Sequence, residues 1–94
     1  MAIGLLTLHL SIPICASLKE KRSQLKPLIT RLQREFNISV AELDYQDRWQ
    51  EALIGCTYLS NSVAHTQRGL QKIVTWVENH YPHLPIIQDR IELI

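Results

Sequence analysis

No run of about 18 apolar residues occurs anywhere in the 94-residue chain, so no segment reads as a membrane-spanning helix. The first ten residues also lack the positive stretch of a signal peptide and enter an alternating pattern at once, which places the expected location in the cytoplasm. Two cysteines, Cys15 and Cys56, are too few for the disulfide framework of a small secreted domain, and both are expected to be free thiols. The three glycines, Gly4, Gly55 and Gly69, are scattered and build no phosphate-cradling loop. Ten Lys and Arg against nine Asp and Glu leave a net charge of +1, so no overall basic excess argues for nucleic acid. Length allows one domain, residues 1–94, with one modest core, and the 46% apolar and 20% charged composition is that of an ordinary folded protein.

The charge that is present is unevenly spread. Residues 1–36 carry six basic and two acidic side chains, whereas residues 37–94 carry four basic and seven acidic ones. Residues 2–12 alternate, with Leu6, Leu8, Leu10 and Ile12 on one side and Thr7, His9 and Ser11 on the other, the period of a half-buried strand. Pro13 ends it, and Ser17 with Glu20 gives the capping-box signature of a helix over residues 18–36. Leu25, Ile29, Leu32 and Phe36 form its apolar stripe, and Pro27 predicts a kink near residues 23–27.

Asn37 reads as a left-handed helix end, followed by a strand over residues 38–45. In the favoured register Ala41, Leu43 and Tyr45 face the core, and Glu42 and Asp44 face away, although Ile38 and Val40 then share the acidic side and point to a bulge or two-sided burial. A polar turn with Trp49 locked against the domain leads to a strand over residues 52–59. A second helix over residues 62–81 carries Val63, Leu70, Ile73, Val74, Val77 and Tyr81 on one face. The last strand, residues 86–94, turns Ile87, Ile91 and Leu93 inward. The order β-α-β-β-α-β is the split βαβ unit of a ferredoxin-like α+β sandwich: a four-stranded antiparallel or mixed sheet in order 4-1-3-2 with both helices on one face.

Three constellations could carry function. Lys19, Lys21, Arg22 and Lys26 crowd the start of the first helix, where the macrodipole disfavours cations, and beside exposed amide groups they suit a phosphate or an RNA backbone. A solvated helix face is the plain alternative. Trp76 with Lys72 could form a partner contact, set against packing of the ring over an edge strand. On the open sheet face His9, Glu42, Asp44 and Arg90 could converge, a polar set open to acid–base use but equally explained as solvated charge. His80 and His83 are separated by a helix-breaking proline and lack further ligands, so no metal and no cofactor is expected. Cys56 reads as a core residue, and Cys15 as one in an accessible loop.

The blocks Ser17-Leu18-Lys19-Glu20-Lys21-Arg22, Phe36-Asn37-Ile38-Ser39-Val40-Ala41-Glu42-Leu43-Asp44 and Gln46-Asp47-Arg48-Trp49-Gln50, with Ile12-Pro13 ahead of them, resemble the YlxP-like family of small bacterial proteins of unknown function. The resemblance covers nearly the whole chain and implies a ferredoxin-like fold. Genes of that family commonly lie near those for a translation initiation factor and a ribosome-maturation factor, which implies an association with translation, while no catalytic residues come with the resemblance. The leading expectation is a non-enzymatic module that binds RNA or a ribosomal subunit through the basic helix start. The alternative is a homodimer associating through the open sheet face, with Ile3, Leu5, Ile86 and Ile94, or through an edge strand.

Overall fold

The computed structural model describes residues 1–94 and has the expected order: β1 (Ala2–Ser11), α1 (Leu18–Glu35), β2 (Ser39–Asp44), β3 (Glu51–Ser60), α2 (Val63–His80) and β4 (Ile86–Leu93). The sheet runs β2-β3-β1-β4 and every pair is antiparallel, which is the expected strand order read from the other edge. The inward residues of β1, Leu6, Leu8 and Leu10 with Ile12 beyond, are fully buried against Leu25, Leu28 and Leu32 of α1 and Leu70, Ile73, Val74 and Val77 of α2. Gly4 lets α2 come close to the sheet, since a Cβ there would stand 2.6 Å from Thr66 Cγ2 and 2.7 Å from Leu70 Cδ1. None of the helices is both long and apolar enough to cross a membrane.

Both helices begin as their sequences imply. Ser17 Oγ accepts the Glu20 amide, Glu20 Oε2 reaches back past the cap to the Ala16 amide in a variant of the capping box, and Ser62 Oγ accepts the His65 amide. α1 runs uninterrupted across Pro27, which lies on its exposed side. Its end differs from expectation: Phe36 closes the helix in extended backbone and Asn37 is not left-handed. The one non-glycine residue at positive φ is Tyr45, at 63°.

The register of β2 is opposite to the favoured one. Val40 pairs with Cys56 and Glu42 with Ile54, both partners fully buried, so Ile38, Val40 and Glu42 look toward the helices while Ala41 and Leu43 lie on the open face. Glycine explains the choice. Gly55 leaves a hollow on the open face, and Leu43 fills it so closely that a Cβ on Gly55 would stand 2.5 Å from Leu43 Cδ1. The register then shifts between Glu42 and Asp44, which returns Asp44 to the open face opposite Leu53. A second irregularity between His9 and Leu10 puts Ile86 rather than Ile87 against the core, leaving Ile87 54% exposed and removing Ile86 from the open face. Cys15 is also buried, contrary to expectation, with Sγ donating to the Ser17 carbonyl at 3.2 Å, and Trp49 is half exposed rather than packed on the domain. Both cysteines are free, and burial pushes the Cys56 thiol up to about 12.

Candidate functional site

α1 meets the sheet unevenly. Its first three turns stand beside β2, the outermost strand, and leave a groove of about 350 Å³ between the two elements. Leu18, Leu25 and Ile29 supply the apolar lining, Arg22 and Lys26 the basic rim, and Lys21, Glu42 and Gln46 the polar remainder. Arg22 and Lys26 are one helical turn apart, with about 5–6 Å between Cβ atoms at that spacing. Both are exposed, as is Lys19, and none of the three forms an ion pair with an acidic side chain. Of the first-turn amides Ser17 Oγ takes that of Glu20, while those of Leu18 and Lys19 make no hydrogen bond within the chain.

Lys21 leaves the expected set. It lies on the buried stripe of α1 with Leu25, Leu28 and Leu32, is 2% exposed, and points beneath β2. Its ammonium donates to the Tyr45 carbonyl and stands 2.8 Å from Glu42 Oε2, so that Lys21 straps the end of β2 to α1. The contact with Glu42 is ionic and falls outside hydrogen-bond geometry, so Glu42 Oε2 is a buried atom whose sole partner is a cation. Tyr45 holds the strap in place. Its positive φ, costly for a bulky residue at about 1–3 kcal/mol, turns its carbonyl toward both Lys21 Nζ and the Arg48 amide, the latter at 3.0 Å. Asp44 Oδ1 accepts the Tyr45 amide at 2.7 Å and steadies the turn from the other side.

The open-face set is likewise rearranged. Glu42 is absent from it, and Asp44 serves the Tyr45 turn. His9 instead meets Glu51: Nε2 donates to Oε1 at 3.0 Å, while Arg48 donates to Oε2 at 2.9 Å and lies over the Tyr45 ring. Arg90 shares this face with Thr7 but pairs with Glu92 at 3.3 Å. Glu51 has no part in the expected set because the apolar pattern starts strand three one residue late; its pairing with Ser11 places it diagonally from His9 on one face, a neighbour relation that follows from the hairpin register.

The Arg48 hydrogen bond, followed by that of His9, holds the Glu51 carboxyl below its ordinary value. A lowered folded-state value means that the stabilisation is complete above the unfolded-state value and is lost as pH falls through the folded-state one. Glu51→Gln is therefore expected to melt below the parent at neutral pH, with the gap closing on acidification. A gap independent of pH in thermal melts would contradict this.

Trp76 packs between the helices rather than over an edge strand. It makes an edge contact with Phe36 at 5.8 Å, stacks with His80 at 4.5 Å, and has the Arg31 guanidinium 5.0 Å from its centroid. Lys72, exposed in a depression with Glu35, Phe36, Asn37 and Arg68, stands one helical turn before Trp76, whose ring meets that same Phe36. No cluster of three or more His, Cys, Asp or Glu that could hold a metal ion is present.

Comparison with known proteins adds kinship without a function. The family described as "Protein of unknown function (DUF503)" matches residues 3–90. The chain is also 41% identical over 63 residues, 67% of its length and 68% of the relative's, to the "Uncharacterized protein YlxP" of Bacillus subtilis (strain 168). The helix start, the groove and the β2 strand all fall inside the matched region, and the chain belongs to the DUF503, YlxP-like family.

Proposed function

We propose that this protein is a non-enzymatic RNA-binding module whose contact surface is the α1–β2 groove, with Lys19, Arg22 and Lys26 against phosphate. The observation that carries the reading is the unpaired charge beside an apolar groove. Lys19, Arg22 and Lys26 have no acidic partner, a state they share with Arg34, Arg68 and Lys72, and what sets the first three apart is their place on the first half of α1 beside the Leu18, Leu25 and Ile29 lining. An anionic chain with flat apolar bases complements both features. The familial association with translation fits a ribosomal RNA target and a role around the ribosome in the bacterial cytoplasm.

Binding of a fluorescent single-stranded RNA, followed by anisotropy across a salt series, tests the reading. Three phosphate contacts release counterions in proportion, so log affinity is expected to fall with log salt at a slope of about 2. A flat salt profile, or displacement of the RNA by polyglutamate at equal charge, would overturn it.

One observation favours a second reading. Leu43 and Leu59 are 47% and 65% exposed on the open face beside half-buried Ile3 and Leu5, a surface that a second copy of the chain could cover. Light scattering at high concentration decides it, and a monomer mass removes the homodimer.

A further inference from the structure

We infer that the α1–β2 groove seats one unpaired guanine base of a bound RNA strand; the inference rests on the RNA-binding reading and gives it a base preference. A phosphate-only surface needs cations and nothing else. This groove has more: an apolar lining from Leu18, Leu25 and Ile29, a volume of about 350 Å³ within the usual span of small-ligand sites, and two polar side chains of fixed chemical type, Glu42 and Gln46, across from the cations.

Glu42 is the informative residue. It sits on an edge strand, so its side chain is bordered by β3 on one side only, and the groove lies beyond it. Its Oε2 is buried beside Lys21 Nζ at 2.8 Å, which leaves Oε1, with no hydrogen-bond partner in the chain, as the oxygen available to the groove. Lys21 keeps the carboxylate in one place. An ionised carboxylate only accepts, so the group that completes it must bring donors. Guanine presents two adjacent donors on its Watson–Crick edge, N1–H and the N2 amine, which can converge on Oε1, followed by the O6 acceptor. Gln46, exposed in the turn after β2, can donate its side-chain amide to that O6. Adenine and cytosine offer a single amine beside a ring acceptor, and uracil sets its N3–H between two carbonyls that the carboxylate repels. Single-stranded RNA is commonly read in this way, through the Watson–Crick edge of an unstacked base. The base plane would lie on Leu18 and Ile29, the partly exposed apolar residues of the lining, with the flanking phosphates at Arg22 and Lys26.

The experiment uses fluorescein-labelled oligouridylate hexamers carrying one internal guanosine, adenosine, cytidine or inosine, with all-uridine as the reference, titrated with the full chain in low salt. The guanosine hexamer is expected to bind about tenfold more tightly than the all-uridine one, a discrimination typical of one good base-edge contact. Inosine, which lacks the N2 amine, is expected to lose most of that gain. Glu42→Gln is expected to level the series while leaving the salt slope unchanged. Should that variant fail to fold, Gln46→Ala at an exposed turn position is expected to reduce the guanosine advantage severalfold with the fold intact. Equal affinity across the hexamers with a steep salt slope would overturn the base site and leave the RNA reading standing. Absence of binding by every hexamer would overturn both.

Discussion

Replacing Glu42 with alanine is expected to cost about 3 kcal/mol, because it strips the partner from a cation that is 2% exposed and leaves it only the Tyr45 carbonyl. Breaking a buried pair from one side commonly costs about 3–5 kcal/mol, and the lower end applies since a quarter of the Glu42 side chain reaches solvent. For a domain of this size the melting temperature should drop by roughly 12–24 °C. Replacing both partners, as Lys21→Met with Glu42→Gln, removes the charge from either side and is expected to recover most of the loss, with the Tyr45 carbonyl turning to water for its second donor. Thermal unfolding of the parent, the two single variants and the double variant measures the coupling. A Glu42→Ala variant that melts within about 3 °C of the parent, equivalent to well under 1 kcal/mol, would show that the strap contributes little.

Much of the fold is legible in the chain. The alternation of residues 2–12, the Ser17–Glu20 cap and the apolar face of α2 place β1, α1 and α2 within two residues of their observed ends. The site is less so, for a definite reason. Lys21 stands four residues before Leu25 and seven before Leu28, on the stripe that α1 buries, so its position could be read from spacing; its charge argued for the surface. What resolves the conflict is Glu42, 21 residues on, and the register of β2 that turns it inward. That register depends on Leu43 filling the hollow over Gly55 and on the shift that follows, a long-range fit that no local pattern of β2 contains. The same holds for Trp76, whose neighbours Arg31 and Phe36 come from α1 and the residue that closes it.

The triple substitution Lys19→Ala, Arg22→Ala, Lys26→Ala should separate binding from stability. Each lost phosphate contact removes about 0.7 from the salt slope on a single strand, so the slope should fall by about 2 and affinity in low salt by well over tenfold. Stability should hold or rise by a few tenths of a kcal/mol, since the three side chains are exposed and their mutual repulsion at the helix start is relieved. Arg34→Ala is the suitable control: Arg34 is exposed near the far end of α1 and lines no part of the groove, whereas Arg31 is engaged with Trp76 and Tyr81. Equal losses from the triple variant and the control would reduce the basic start to diffuse surface charge.

The most direct measurement is a map of backbone amide chemical shifts as single-stranded RNA is added to the isotopically labelled protein. A sheet with one face open could take RNA on that face, and the two surfaces are on opposite sides of β2. RNA seated in the α1–β2 groove gives the largest shifts at Leu18, Arg22, Lys26 and Ile29 of α1 and from Glu42 to Gln46, with Thr7, His9, Leu53 and Arg90 little changed. Shifts concentrated on β1, β3 and β4 of the open face, or none that saturate with added RNA, would contradict it.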